Sequence, residues 1–233
     1  MPTPLTSLHN PKIAHIRNLM EEKTYRDDQG EFIVEGDKLI KELSVNNISY
    51  VLLSDRQKDH GLKISSELVF QVPHTLLAKI SKTETPQSML AVVKKPNYSL
   101  KNVKSGIWIM SEGIQDPGNL GTIIRTIEAA GASGLIYTST TVDPFSPKVV
   151  RASAGSILRI PLVPVQSVVS LKKDIPSIAL ISTVVSAGTS YKQIKFPVFC
   201  GIILGSEGQG LLPETERLAE QKVTIPLKGK VES

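Results

Sequence analysis

Residues 198–213, VFCGIILGSEGQGLLP, constrain the fold more than any other part of the chain. They begin with an apolar, β-branched run over residues 199–204 that has the length and composition of a buried strand. A loop with three glycines follows over residues 205–210, and these glycines predict backbone amides that approach a ligand with no Cβ in the way. Pro213 then opens a predicted helix with acidic residues in its first turn. This order indicates a ligand site beyond the carboxyl end of a strand in an open parallel sheet.

The glycine loop does not match three well-known motifs. Its spacing is G-x-x-G-x-G, whereas dinucleotide-binding loops have G-x-G-x-x-G, and it lacks the Gly-Lys-Ser/Thr of a phosphate-binding loop. Ser206 does not lie in the G-x-S-x-G pattern of a hydrolase nucleophile. The loop on its own therefore leaves a ligand site and a purely structural turn as open alternatives.

Composition places the chain among globular proteins. Its 233 residues suffice for one large domain or two small ones, and 40% of them are hydrophobic while 21% are charged. No apolar run reaches membrane-spanning length and no signal peptide is visible, so we expect no membrane association and a cytoplasmic location. The net charge of +5 is compatible with a polyanionic partner.

The cysteine and histidine content narrows the chemistry. Cys200 is the only cysteine and lies in the apolar run, so we expect it to be buried and inert. The four histidines all lie in the first third of the chain without metal-ligand spacing, so we expect no metal site. Chemistry in the C-terminal part must therefore use arginine, carboxylates, hydroxyls, amides and backbone groups.

The order of predicted elements divides the chain into two α/β parts. Residues 1–30 form a helical lead-in, and short strands alternate with helices over residues 31–96 as in a small α/β sandwich. Residues 97–105 are predicted to be a linker. Apolar strands with helical connections over residues 106–233 predict a parallel sheet covered on both faces.

The lead-in contains an amphipathic helix. Ile13, Ile16 and Leu19 recur at helical spacing, whereas basic residues including Lys12 and Arg26 lie on or near the other face. A solvated basic face is the simpler interpretation, and an RNA-contacting arm is the alternative.

A second glycine-rich stretch precedes the first one along the chain. We predict a loop over residues 111–121 and a helix over residues 122–130 that carries Arg125. An arginine on such a helix commonly extends to solvent or forms an ion pair. Here it follows Asn119 by six residues at the head of a helix, which predicts that both lie near the loop 205–210. A guanidinium there can orient a hydroxyl or phosphate and stabilise alkoxide charge.

Three stretches in this order resemble the motifs of one enzyme family. D-P-G-N-L-G-T-I-I-R-T-I-E-A-A-G resembles the first motif of the SpoU (TrmH) family of RNA 2′-O-ribose methyltransferases, and I-I-L-G-S-E-G-Q-G-L resembles the second. V-T-I-P-L-K-G-K-V-E-S resembles the start of the third. The N-terminal part, with F-I-V-E-G-D-K-L-I-K-E, resembles the ribosomal-protein-L30e-like RNA-binding domain that is often fused to this family.

The resemblance implies a fold and an activity. The C-terminal domain would be a parallel-sheet α/β fold with a deep trefoil knot, an exception to unknotted topology, and S-adenosylmethionine would bind bent in the knot. The protein would be a homodimer that methylates a ribose 2′-hydroxyl of structured RNA. We expect ribosomal RNA, with transfer RNA second, because the two-domain layout resembles that of the ribosomal members.

The resemblance also implies roles for individual residues. Arg125 would activate the 2′-hydroxyl, Asn119 would help to place the substrate, Glu207 would organise the second loop and Ser233 would face the reacting centre. Residues that would contact the cofactor follow the apolar strands: Thr183, Leu204, Gly205, Gly210, Ile225 and Pro226. The stretch 151–156 resembles a family segment near the substrate, with close helix packing as the alternative role for its small residues.

The sequence departs from the family pattern at its C-terminal end. The third motif of the family continues with Ser-Leu-Asn and a closing helix, whereas this sequence ends at Ser233. We therefore expect the 233-residue chain to have reduced cofactor affinity and activity.

Two other functions stay open from the sequence. The first is a non-catalytic RNA-binding or ribosome-assembly factor that keeps the fold, which the presence of Asn119, Arg125 and Glu207 disfavours. The second is a nucleotide-dependent oxidoreductase, which the reversed glycine spacing disfavours.

Overall fold

The computed structural model describes residues 3–57, 59–81 and 87–226, and these fold into two compact units. The first unit contains Met1–Pro96 and Asp143–Gly155, and the second contains Asn97–Val142 and Ser156–Ser233. These boundaries differ from the expected ones in three places. The lead-in belongs to the first unit, the expected linker belongs to the second, and a segment of the C-terminal part folds with the first unit.

In chain order, the helices are α1 (Pro11–Glu21), α2 (Lys23–Gln29), α3 (Asp37–Glu42), α4 (His74–Ser81), α5 (Pro117–Ala130), α6 (Pro147–Ala152), α7 (Val168–Asp174) and α8 (Pro213–Leu218). The strands are β1 (Thr3–Pro4), β2 (Glu31–Glu35), β3 (Ile48–Ser54), β4 (Val69–Val72), β5 (Met89–Lys94), β6 (Gly106–Ser111), β7 (Gly134–Thr138), β8 (Leu162–Val165), β9 (Ala179–Thr183), β10 (Thr189–Ser190), β11 (Phe199–Leu204) and β12 (Gln221–Thr224).

The first unit is built on a mixed sheet with the strand order β1-β4-β3-β5-β2. Strand β4 runs parallel to β1 and β3, while β5 is antiparallel to β3 and β2. Helix α1 starts as predicted, because the Asn10 side chain accepts a hydrogen bond from the Lys12 N–H and Pro11 occupies the first turn. Its apolar residues Ile13, Ile16 and Leu19 are fully buried in the core of this unit.

The prediction that Arg26 lies on a solvated face is wrong. Its side chain is only 4% exposed and forms an ion pair with Asp143, with Nε donating to Oδ2 over 2.7 Å. Its Nη1 also donates to the carbonyl of Leu19 over 2.7 Å. Because the helix carries Arg26 into the interior, the unit needs a buried carboxylate, and residues 143–155 supply it.

The rest of that segment packs against β2. The rings of Phe145 and Phe32 lie 5.0 Å apart between centroids, and Arg151 approaches the buried carboxylate of Glu35 to 3.8 Å. Burial raises the pKa of Glu35, and the nearby Arg151 charge opposes this shift. Ser153 is fully buried and donates to the carbonyl of Val150, which favours helix packing as the role of the small residues here.

The second unit contains a sheet in which all described strand pairs are parallel, with the order β10-β12-β9-β11-β6-β7-β8. This confirms the predicted parallel α/β fold. Alternate strand residues form separate apolar clusters, one containing Met110 and Ile203 with residues of α7, and another around Ile181 and Cys200. Cys200 is fully buried, as predicted. Among the described helices, none is long and apolar enough to cross a membrane.

Candidate active site

The carboxyl ends of the central strands form one edge of the second unit. Strand β11 lies between β6 and β9, with Leu204 opposite Ser111 and Ile203 opposite Ser182. Strand β12 follows on the far side of β9, with Val223 opposite Thr183. The loops that leave these strands carry the predicted site residues, which is the arrangement that places ligands in parallel α/β proteins.

The predicted loop over residues 111–121 is wrong in its second half, because α5 already begins at Pro117. The side chain of Asp116 accepts a hydrogen bond from the Asn119 N–H over 2.7 Å, so Asp116 caps the helix and Pro117 occupies its first turn. The Asp-Pro pair favours a helix start more strongly than the two following glycines disfavour a helix. Asn119 therefore lies in the first turn of the helix, which fixes its backbone, and its side chain is exposed.

The structure brings Asn119 and Glu207 together. The Nδ2 group of Asn119 donates to Oε1 of Glu207 over 2.9 Å, and the Gln115 N–H donates to Oε2 over 3.5 Å. The hydrogen bond from Asn119 lowers the pKa of Glu207 the most, and backbone N–H groups, including those of Gln115 and Asp116, act in the same direction. The carboxylate is thus ionised at neutral pH and connects the first glycine-rich stretch to the second.

Arg125 lies on the exposed surface of α5, as its sequence position allowed. Among the residues that the structure describes, none hydrogen-bonds or pairs with its guanidinium. The neighbouring hydroxyls of Thr122 and Thr126 donate to helix carbonyls, so they do not compete for an external ligand.

The glycine loop 205–210 closes on itself. Ser206 and Gly210 exchange two backbone hydrogen bonds of 3.0 Å, and Gly210 has a φ of +69°. A Cβ at Gly205 would lie only 2.3 Å from the carbonyl carbon of Gly210. The predicted reason for this glycine, close approach to a ligand, is therefore not needed, because the loop backbone itself occupies that space.

Glu112 is a site residue that the sequence argument missed. Its side chain is 4% exposed, and it accepts the Leu212 N–H over 3.1 Å and the Thr215 hydroxyl over 2.7 Å. Helix α8 has no side-chain cap of its own, since Leu212 stands at its N-cap. The first N–H groups of a helix without a capping side chain need an acceptor from elsewhere in the chain. The sequence feature that could have identified Glu112 is its position directly after a central strand.

The residues expected to contact the cofactor lie at the same edge with different exposures. Thr183 donates its hydroxyl to the carbonyl of Ile203 over 2.8 Å, whereas Ile225 is 65% exposed. The N–H groups of Gly205 and Leu211 donate no backbone hydrogen bond to another described residue. The remaining expected contacts, Leu204, Gly210 and Pro226, are at least partly accessible. Ser233 lies outside the described residues.

Comparison with known proteins agrees with this geometry. Residues 106–233 match the model of the SpoU rRNA Methylase family. This chain belongs to that family. Residues 10–91 match a second family model, the MRM3-like substrate binding domain. The resemblance inferred from the three motifs is thereby confirmed, and the chain is a member of an RNA methyltransferase family.

Two relatives and one solved structure illustrate the extent of the similarity. An uncharacterized tRNA/rRNA methyltransferase of Synechocystis is 32% identical, over 98% of this chain and 87% of its own length. The 23S rRNA (guanosine(2553)-2′-O)-methyltransferase RlmP of Bacillus subtilis is 27% identical, over 98% of this chain and 92% of its own. The AdoMet-bound rRNA methyltransferase from Sinorhizobium meliloti is 29% identical, with a TM-score of 0.84 over 99% of this chain and 91% of its own.

Proposed function

We propose that this protein transfers the methyl group of S-adenosylmethionine to a ribose 2′-hydroxyl in structured RNA, ribosomal RNA rather than transfer RNA. The observation that carries the proposal is the hydrogen bond between Asn119 and Glu207, since it joins two family motifs at the helix that also carries the exposed Arg125. Relatives at 27% and 28% identity that are named 23S rRNA 2′-O-methyltransferases support the ribose and the ribosomal substrate.

The groups at the strand edge fit the proposed cofactor. Adenine is a flat ring system with ring-nitrogen acceptors, and the N–H groups of Gly205 and Leu211, which donate no backbone hydrogen bond to another described residue, are suitable donors. The exposed apolar side chains of Leu212 and Ile225 can cover its faces. We propose that the cofactor is held at this edge, in a trefoil-knotted part of the domain, by the set Thr183, Leu204, Gly205, Gly210, Ile225 and Pro226. When bound, S-adenosylmethionine supplies an activated methyl group on a good leaving group.

The proposed mechanism assigns three tasks to this chain. Arg125 binds and orients the 2′-oxygen and stabilises the negative charge that develops on it as its proton leaves. This oxygen then forms the O–C bond as the C–S bond breaks. The Arg125 guanidinium stays protonated, so the hydroxyl proton passes to solvent. Asn119 orients the nucleotide, and the Glu207 carboxylate fixes the amide of Asn119 in place.

The two units have separate parts in the proposal. The first unit, as an L30e-like domain centred on residues 31–96, binds structured RNA through its shape and 2′-hydroxyls. The second unit pairs with a second copy, and exposed apolar side chains on residues 185–198 support this: Val185 is 63% exposed, Tyr191 46%, Phe196 41% and Val198 89%. The proposed location is cytoplasmic.

The first test is a methyl-transfer assay. Labelled S-adenosylmethionine and unmodified total RNA are incubated with the protein, and 2′-O-methyl sites are mapped afterwards. A single labelled ribose in ribosomal RNA is the expected result. RNA binding without any transfer would overturn the enzyme proposal in favour of an assembly factor, and label in transfer RNA alone would change the substrate.

Replacing Gly205 by alanine is expected to weaken cofactor binding about 5- to 150-fold. The new Cβ overlaps the backbone of Gly210 and Leu211, which cannot give way as a flexible side chain would, at a cost of about 1–3 kcal/mol. Isothermal titration of S-adenosylmethionine measures the change. Gly208→Ala is the matched control, because its Cβ would meet no atom within 4 Å. Equal affinity of both variants would contradict this account of the loop.

A further inference from the structure

Gln115 connects three loops at the carboxyl edge of the second unit. Its side-chain Nε2 donates to the carbonyl of Thr140 over 2.5 Å and to the carbonyl of Gly113 over 3.4 Å. Its backbone N–H donates to Oε2 of Glu207 over 3.5 Å. The residue is exposed, so solvent competes for these bonds and packing alone does not explain them.

The loop that presents the Thr140 carbonyl is itself fixed. The buried hydroxyl of Thr141 donates to the carbonyl of Ser111 over 2.9 Å and accepts the Gly113 N–H over 3.2 Å. The hydroxyls of Thr138 and Thr140 lie 2.8 Å apart. Polar groups that are satisfied in a low-dielectric interior form a rigid network, so the Thr140 carbonyl has little freedom to move.

A continuous series of hydrogen bonds connects this hydroxyl network to the proposed site. The series runs from the buried hydroxyls to the Thr140 carbonyl, then through Gln115 to the Glu207 carboxylate and the Asn119 amide. Both Glu207 and Asn119 are exposed, and Asn119 has its own helix cap at Asp116. The Glu207 carboxylate accepts the Gln115 N–H in addition to the Asn119 amide, so the position of residue 115 acts on this pair.

We infer that Gln115 is a positioning residue for methyl transfer, which fixes the Asn119–Glu207 pair to the rigid hydroxyl network of the neighbouring loop. It touches neither of the proposed reactants and acts through Glu207. The inference rests on the proposed function, because it assigns Gln115 a part in the same site. Only the amide nitrogen can face two carbonyl oxygens, so the chemistry of the side chain, and not its volume, does the positioning.

The test compares three variants in the full chain. Gln115→Ala removes both side-chain hydrogen bonds and is expected to lower kcat about 10- to 100-fold, with an unchanged KM for S-adenosylmethionine. Gln166→Ala is the matched control, because Gln166 is an exposed glutamine whose side chain makes no hydrogen bond to a described residue. Its kcat is expected to match that of the unchanged protein.

Gln115→Glu separates positioning from a general structural effect. An ionised carboxylate would face two carbonyl oxygens and repel them, whereas the protonated acid can donate one hydrogen bond to Thr140. This environment raises the pKa of the new carboxyl, so the donor is present at low pH and lost as pH rises through that value. The rate of this variant relative to the unchanged protein is therefore expected to increase as pH falls from about 8 to about 6. A ratio that does not change with pH would overturn the inference.

A pH titration of Glu207 without RNA or cofactor tests the role of Gln115 independently of the proposed methyl transfer. The carboxyl signal of Glu207 is followed by NMR in the unchanged protein and in Gln115→Ala. The pKa of Glu207 is expected to rise toward its ordinary value in the variant, because the backbone N–H of residue 115 is kept but is no longer held against the carboxylate. An unchanged titration would overturn the inference even if the protein proved inactive. Absence of methyl transfer by the unchanged protein would overturn only the proposed function.

Discussion

Replacing Arg125 by alanine is expected to lower kcat for methyl transfer about 10²- to 10³-fold, which is the loss seen when one preorganised donor to a developing oxyanion is removed. The guanidinium is exposed and has no partner among the described residues, so its removal breaks no contact that the structure records. Folding and cofactor affinity are expected to stay unchanged. This separation of effects distinguishes a group that acts on the reacting hydroxyl from one that supports the helix.

The measurement is single-turnover transfer to the mapped RNA, with cofactor affinity determined by titration. Arg125→Lys is expected to recover little of the rate, because an ammonium cannot reproduce the planar, bidentate donors of the guanidinium. Arg217→Ala serves as the control, since it removes an exposed arginine of α8 from the same unit. Normal turnover by Arg125→Ala would remove Arg125 from the proposed mechanism.

Much of the fold could be predicted because local physics determines it. Helix α1 begins where an asparagine cap precedes proline, and the short length of the apolar run predicts the strand Phe199–Leu204. The error at α5 has a local cause as well. The glycines at 118 and 121 favour a loop, whereas the Asp116–Pro117 start determines the helix.

The candidate site could be predicted only in part, because its contacts join distant parts of the chain. Asn119 and Glu207 are separated by 88 positions, and Glu112 and Thr215 by 103. Periodicity and capping rules act over a few residues, so they contain no information on such pairs. The motifs identified Asn119 and Glu207 through their resemblance to a family. Glu112 was missed because the sequence pattern does not distinguish a buried capping acid from an exposed one.

The same limit explains why the burial of Arg26 was not predicted. Its partner Asp143 lies 117 positions away, in a segment that the sequence placed in the other domain. Along α2, Arg26 stands among charged neighbours, and no local rule separates it from them. Only the tertiary contact shows that this arginine faces the core.

Removal of either member of the Arg26–Asp143 pair is expected to destabilise the first unit by about 3–5 kcal/mol, because the remaining charge stays buried without its partner. Both side chains are less than a tenth exposed, at 4% and 7%, so water cannot replace the lost ion. Arg26→Met combined with Asp143→Leu is expected to restore most of this stability, since apolar side chains of similar size do not require a counter-ion.

Hydrogen exchange of peptides from α1 and β2 measures the loss of stability in the first unit itself. Tryptophan fluorescence would not report on this unit, because the only tryptophan, Trp108, lies in the second unit. Lys23→Ala is the matched control on the same helix. It removes an ion pair with Asp27 whose side chains are 56% and 46% exposed, and such surface pairs contribute about 0–1 kcal/mol. If Arg26→Met alone proved as harmless as the control, the ion pair would not fix residues 143–155 to the first unit. A large loss from either single change and recovery in the double variant would show that the ion pair holds residues 143–155 in the core of the first unit.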